Sequence, residues 1–523
     1  MARTSQSDPI VFNEVRCGAG VLGLTFCPGK SGPSVFGADW SRDLDVDLDA
    51  AVAWGASTVL TLVKPHELEM LQAPGLGAAV EARGMMWLHA PIEDLGVPDQ
   101  KFEQRWCVIG HRVRMALDSG EKVVVHCRGG RGRAGMIAAR LLVEMGEAPD
   151  DAIARVRAAR EGAIETAEQE RHVRECWATT CNREHVDRVL GCLFGGAVGD
   201  GFGYAIEFDR LPAIRKRYGE KGLTEPVLTN ERLVVSDDTQ MTVFTASAVA
   251  RVGEFEAAEA VAAIRAAYLD WYRTQTRSGP SKVDAGVLRH RELWARRAPG
   301  NTCISALAAG GSGEPSRPVN DSKGCGGVMR VAPIGLRRDW TEGQVFELAA
   351  RAAAITHGHP TGYLSAAAAA VMVRVMVDGR GLREALGVVA RYLAANEDAQ
   401  ETMKAVIGVF EEPARDMLMV DVEEGRLGEG WVGEEALAIA LYSVAASDDF
   451  RAVMRIAANH DGDSDSTASI AGQLFGARHG LSRIPWSWVS RLDVFDALCE
   501  VAGDVLAADR SDLLQRPVAS AIN

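Results

Sequence analysis

Three clusters of residues in this chain have types and spacing suited to chemistry. The first is HCRGGRGRAG at residues 126–135, where Cys127 and Arg133 bracket five residues, three of them glycine. Gly129, Gly130 and Gly132 leave backbone N–H groups free to converge on an anion. A thiolate at the base of such a loop, stabilised by the amides, a helix N-terminus and an arginine, is a nucleophile for phosphorus. The planar fork of Arg133 suits the equatorial oxygens. A carboxylic acid must still protonate the leaving oxygen. Asp94, on the Pro- and Gly-punctuated loop APIEDLGVPD at 90–99, is the candidate, with Asp99 on the same loop as the alternative. The other two clusters are SDDTQMT at 236–242 and HDGDSDSTASIAG at 460–472, each beside a predicted helix, the second near Ser466. Either alone reads as an Asp/Ser helix cap. Together, Ser236, Asp237 and Asp238 with Asp463, Asp465 and Ser466 gather more carboxylates than a buried site tolerates without counter-charge, and a pair of divalent cations supplies it.

The elements that position these clusters follow from local pattern. Residues 53–63 end as a β-branched strand, 67–83 read as helix, 85–89 as a short strand, and helix follows loop 90–99 through Ser119. The strand at 121–125 runs straight into the cysteine loop, and a helix at 136–144 leaves it, with Gly146 as the stop. Helices at 150–160 and 169–178 complete a first domain, 1–180, with a polar joint at 179–184. A second domain, 185–510, has alanine- and leucine-rich helical patterns at 254–272, 346–354, 363–377, 382–395, 434–444 and 494–507, and reads as all-α. Between them, the glycine-spaced stretch 189–208 and the glycine-rich segment 311–329 read as loops.

Composition limits the partners. At 523 residues the chain exceeds one ordinary core. Its net charge of -14 argues against a nucleic-acid or anionic-membrane binder, so anion sites must be built from local cations. The apolar run 363–377 is interrupted by Arg374 and is short for a bilayer span, and the first residues lack the apolar core of a signal peptide. A cytoplasmic protein is expected. Ten cysteines without a CxxC pair indicate neither a disulfide framework nor a zinc site.

Residues 35–178 resemble the dual-specificity branch of the cysteine-dependent phosphatases, most closely the kinase-associated group, through the loop at 91–99, HCRGGRGR and GAIETAEQ at 162–169. The resemblance implies an α/β fold with a mostly parallel sheet, phosphomonoester hydrolysis by Cys127, Arg133 and Asp94, and a phosphorylated substrate. The family usually places Ser or Thr after the loop arginine, where its hydroxyl helps release the thiolate; this chain has Ala134. Arg128 and Arg131 add positive charge at the mouth, suited to a second phosphate.

Residues 186–508 resemble the ADP-ribosylglycohydrolases of the dinitrogenase-reductase-activating type. The ordered motifs are LGCLFGGAVGD, SDDTQMT, RAPGNTCISAL, GCGGVMR, THGHPTGYLSA, GWVGEEALAIALY and GDSDSTASIAG. That family implies an all-helical fold and two Mg²⁺ (or Mn²⁺), with ligands mapping onto Ser236, Asp237, Asp238, Asp463, Asp465 and Ser466. Glu207 matches a gating, catalytic glutamate, and Gly324, Gly326 and Gly327 would let amides approach a pyrophosphate. Asp461 matches no ligand, and His357 and His359 read as loop-structuring. The implied activity is hydrolysis of an ADP-ribosyl N-glycosidic bond, protein-linked arginine first and free ADP-ribose derivatives second. The alternatives are a binding module for ADP-ribose or phosphoprotein with weak catalysis, and processing of phosphorylated ADP-ribose derivatives by both domains.

Overall fold

A computed structural model describes residues 2–34, 37–179, 182–411 and 426–509. The chain forms two compact units, Met1–Cys181 and Asn182–Asn523. Residues 180 and 510, the expected ends of the two domains, lie outside the described residues.

The first unit is an α/β layer structure around a five-stranded sheet of order β1-β2-β7-β5-β6. Its strands are β1 (Asn13–Cys17), β2 (Gly20–Phe26), β5 (Ala56–Thr61), β6 (Met86–His89) and β7 (Lys122–Cys127); β3 (Ser31–Gly32) and β4 (Trp40–Ser41) form a separate small pair. Only the β1–β2 pair is antiparallel within the five-stranded sheet, so the sheet is mostly parallel. The VVV run of β7 is buried on both faces, as a central parallel strand requires. β7 lies between β2 and β5, and the cysteine loop leaves its C-terminal end, where open α/β sheets bind ligands. The helix expected over 67–83 is instead two, Pro65–Met70 and Leu76–Glu81, because Pro74 and Gly75 fall inside the apolar pattern and interrupt it.

The second unit is helical. Among its described residues, β pairing is limited to isolated bridges such as Gly324 with Val432. The six predicted helices correspond to Ala257–Thr276, Glu342–Ala354, Pro360–Val377, Leu382–Ala394, Gly433–Ala446 and Phe495–Ala508. Pro360–Val377 is, among the described residues, the one helix long and apolar enough to cross a membrane, and it is buried in this unit. Its Arg374 donates to the carbonyls of Trp340 and Arg338 and is ion-paired with Asp378.

One expectation fails usefully. The glycine-spaced stretch 189–208 is not a loop: it lies mostly inside a 22-residue helix, Arg183–Tyr204. Gly191, Gly195, Gly199 and Gly203 recur every four residues and form one stripe on that helix. The stripe packs directly on the backbone of the Ser464–His479 helix. A Cβ at Gly191, Gly195, Gly199 or Gly203 would lie 2.5, 2.4, 2.0 or 2.1 Å from the carbonyl oxygen of Gly476, Gly472, Ala468 or Ser464. The helices cross closer than any side chain permits. Spacing that reads as flexibility in one dimension is here a packing surface.

Candidate active sites

In the first unit, Cys127 ends β7 and is buried, and the loop carries the chain into the fully buried helix Gly132–Glu144. Gly130 adopts φ 72°, and a Cβ there would stand 2.3 Å from the Thr25 carbonyl, so only glycine fits. Its N–H points inward and donates to Cys127 Sγ at 3.2 Å. His126, just before the cysteine, is bonded through Nε2 to Thr61 Oγ1 at 2.7 Å, and burial pushes its pKa down to about 3, so the ring is neutral.

Arg133 is held as a rigid fork. Its Nη1 and Nη2 donate to Glu67 Oε2 and Oε1 at 2.6 and 2.8 Å, and Nη1 also donates to the Ile92 carbonyl at 2.9 Å. Glu67 sits on the short Pro65–Met70 helix, and nothing in the sequence distinguishes it. Its other visible role is a cap, accepting from the Lys64 N–H at 2.8 Å. Asp94 reaches the same guanidinium, Oδ1 to Nη2 at 2.9 Å, from a half-exposed position. Asp99 instead caps the Gln100–Asp118 helix, accepting from the Phe102 N–H at 2.7 Å. Gly129 is exposed, whereas Gly132 lies under Gln169 and Glu165, whose carboxylate accepts from the Gly132 N–H at 2.9 Å. Arg131 is exposed and Arg128 partly so.

In the second unit, a cavity of about 190 Å³ is lined by Glu207, Asp237, Asp238, Asp463, Asp465 and Ser466, and by Gly324 and Gly326. The two distant acidic stretches therefore face one space. Ser236 Oγ caps the Asp237–Arg251 helix at the Asp238 N–H, 3.2 Å away. Asp463 caps Ser464–His479, so that helix begins two residues before the expected Ser466. Ser466 N–H donates to Asp465 Oδ1 at 2.9 Å. Gly327, by contrast, packs toward Ala353, its Cβ position 3.1 Å from that methyl group.

Among the described residues, five carboxylates line this cavity and no lysine or arginine does. One oxygen each of Glu207, Asp463 and Asp465 fall within 4.8 Å of one another. Asp238 Oδ2 and Glu207 Oε2 are buried without a hydrogen-bond partner. Burial first, and then the Asp465 charge, raise Asp237, Asp238 and Asp463 well above the usual carboxylate range, and lift Glu207 to about 10. Orphaned acidic oxygens converging on a cation-free space fit hard divalent ions.

Asp200 is fully buried on the glycine-striped helix, where its glycine neighbours had suggested a loop. It accepts from the Ser236 N–H at 2.8 Å and the Thr239 N–H at 2.9 Å, fixing the acidic turn from behind. Burial, then Asp465, lifts its pKa to about 7. Cys325 was also unassigned; its Sγ donates to Asp463 Oδ2 at 2.7 Å. Asp461 stays outside the cavity and receives the Leu211 N–H at 2.6 Å. His359 caps the Pro360–Val377 helix, and His357 is a buried wall of the cavity, pushed down to about 3 by burial.

Residues 182–514 match the family described as ADP-ribosylglycohydrolase, and residues 48–147 the one described as polymorphic toxin system, DSP-PTPase phosphatase. ADP-ribosyl-[dinitrogen reductase] glycohydrolase of Rhodospirillum rubrum is 24% identical over 333 residues, spanning 61% of this chain and 97% of its own. ADP-ribosylarginine hydrolase Tri1 of Pseudomonas putida (strain GB-1) is 26% identical over 334 residues, 63% of this chain and 80% of its own. Cyclin-dependent kinase inhibitor 3 of Sus scrofa is 30% identical over 157 residues, 29% of this chain and 70% of its own.

Proposed function

The chain belongs to the ADP-ribosylglycohydrolase family through residues 182–514, fused to a DSP-type cysteine phosphatase domain, and we propose that it is a bifunctional hydrolase. The second unit cleaves the N-glycosidic bond of ADP-ribosylarginine in protein with magnesium, and the first unit hydrolyses a phosphomonoester. The observation that carries the first half is the cavity of five carboxylates, with no lysine or arginine in its wall among the described residues. The arginine linkage is taken from the names of the relatives, one acting on ADP-ribosylated dinitrogen reductase and one on ADP-ribosylarginine.

Ser236, Asp237, Asp238, Asp463, Asp465 and Ser466 would hold two Mg²⁺ or Mn²⁺, and Glu207 is close enough to Asp463 and Asp465 to share in that set. When bound, the metal pair supplies Lewis-acid stabilisation and an acidified water. The protein's own part is positional. Asp200 fixes the Ser236–Thr239 turn, and the backbone at Gly324 and Gly326 leaves room for a pyrophosphate against the cavity wall. With divalent cations offsetting the surrounding carboxylates Glu207 would be ionised, and it would then accept the proton of the attacking water as the anomeric carbon becomes oxocarbenium-like.

In the first unit, Cys127 Sγ attacks phosphorus, Arg133 takes two equatorial oxygens, and Asp94 protonates the leaving oxygen. A phosphate dianion competes with Asp94 for the Arg133 Nη2 edge, so substrate binding frees the carboxyl for its acid role. Ala134 offers no hydroxyl to the departing thiolate, which favours a slow second step and a phosphocysteine that accumulates. That same residue supports the alternative of a phosphate-binding module with weak turnover.

The decisive test follows ADP-ribose release from arginine-modified protein. With Mg²⁺ the wild type releases it, while EDTA or Asp465→Ala lowers the rate by about 10²-fold or more. Equal release with EDTA would remove the metal from the reading, and binding without release in the wild type would replace catalysis by recognition.

A further inference from the structure

Two cations of the first unit have no role in the chemistry above. Lys30, in the turn after β2, is buried, stacks 3.9 Å from the Trp40 ring centroid and 4.4 Å from that of Phe26, and donates through Nζ to the Arg128 carbonyl at 3.4 Å. Arg160 follows the Pro149–Ala159 helix and donates through Nη2 to the Gly129 carbonyl at 2.9 Å and through Nη1 to Asn13 Oδ1. Among the described residues, neither has a carboxylate partner in an ion pair. Burying the Lys30 charge without such a partner is costly unless the charge is used, and the half-buried Arg160 spends its guanidinium on the loop carbonyl instead.

We propose that Lys30 and Arg160 are positioning residues that clamp the outside of the phosphate-binding loop and so aim its amides at the nucleophile and the phosphate. The proposal rests on the phosphatase reading. In a trans peptide, the C=O of one residue and the N–H of the next point in opposite directions. A cation that fixes the Gly129 carbonyl outward turns the Gly130 N–H inward, where it meets Cys127 Sγ at 3.2 Å. Lys30 fixes the preceding peptide, Arg128 to Gly129, in the same sense. Each cation also polarises the peptide it holds, strengthening the inward N–H as a donor. The two residues come from elements on either side of the loop in sequence, so the clamp exists only in the folded unit.

Lys30 adds a pH dependence. Burial lowers its pKa to about 8; the Cys27 thiol raises it, Arg3 and Arg42 lower it, and the Cys127 thiol raises it. Arg42 is itself paired with Asp47. The ammonium is therefore present below about pH 8 and lost as pH rises through that value, which releases the Arg128 carbonyl.

The test uses the full chain and two readouts, turnover of para-nitrophenyl phosphate and the rate at which iodoacetamide alkylates Cys127. Lys30→Met and Arg160→Met should each slow both by about tenfold, the scale of one charge-assisted hydrogen bond. Lys30→Arg should restore both rates and carry the alkaline fall in kcat/KM to higher pH. Wild-type alkylation rates in the two methionine variants would overturn the clamp, as would an alkaline limb shared by wild type and Lys30→Arg, a comparison that needs neither methionine variant to fold. No turnover by the wild type, with alkylation still slowed in the variants, would overturn the phosphatase reading and leave the clamp standing.

Discussion

Asp94 and Asp99 share one loop and differ in what their oxygens touch. Asp94 reaches the Arg133 guanidinium, whereas Asp99 is spent on the first turn of Gln100–Asp118. Asp94→Asn should therefore lower turnover of para-nitrophenyl phosphate by roughly 10²–10⁴-fold with little change in thermal stability. Asp99→Ala should do the opposite, costing about 1 kcal/mol of stability with turnover nearly intact. Parallel rate and melting measurements on the two variants check both, and unchanged turnover in Asp94→Asn would move the acid elsewhere. At this scale the sequence was legible where chemistry is local. Cys127, its glycines and Arg133 are consecutive, so their spacing alone describes a cradle. Glu67 was not legible, because its role depends on a helix 66 residues away in sequence meeting Arg133 in the fold. Asp200 was missed for a different reason: its glycine neighbours suggested a loop, and a loop aspartate has no defined direction.

The elements explain how the acidic cavity is assembled. The Arg183–Tyr204 and Ser464–His479 helices bring Asp200 beside Asp465, and only the glycine stripe lets them approach so closely. Helix propensity argues against the six glycines of the Arg183–Tyr204 helix, four of them in the stripe, each costing about 1 kcal/mol relative to alanine. Tertiary packing overrides that cost. Gly199→Val would force its side chain into the Ala468 carbonyl, which a Cβ already meets at 2.0 Å. The expected outcome is a destabilisation of about 1–3 kcal/mol or more, with weaker Mg²⁺ binding by calorimetry. A wild-type melting temperature would mean that the crossing is not the constraint proposed. The alanine-rich helices at Pro360–Val377 and Gly433–Ala446 were readable because their apolar pattern is continuous. The Pro74–Gly75 break shows the converse, a local residue pair overruling an apolar pattern that spans it.

For the whole molecule, the fusion joins two hydrolytic chemistries with opposite electrostatic needs. The phosphatase loop aims Arg133 at its phosphate site and is held from outside by Lys30 and Arg160, while the glycohydrolase cavity gathers five carboxylates that call for cations. In a chain of net charge -14, each site must generate its own field locally. The two activities should then separate cleanly. Cys127→Ser should abolish phosphatase turnover and keep wild-type release of ADP-ribose from modified arginine, and Asp465→Ala should give the reverse. Substrates carrying both groups add a sharper comparison. If the fusion serves one pathway, a phosphorylated ADP-ribosyl adduct should be processed to unphosphorylated ADP-ribose by the wild type, but stop at a phosphorylated product with Cys127→Ser. Product analysis by mass distinguishes the cases, and a Cys127→Ser protein that removed the phosphate at the wild-type rate would break the link between the two sites.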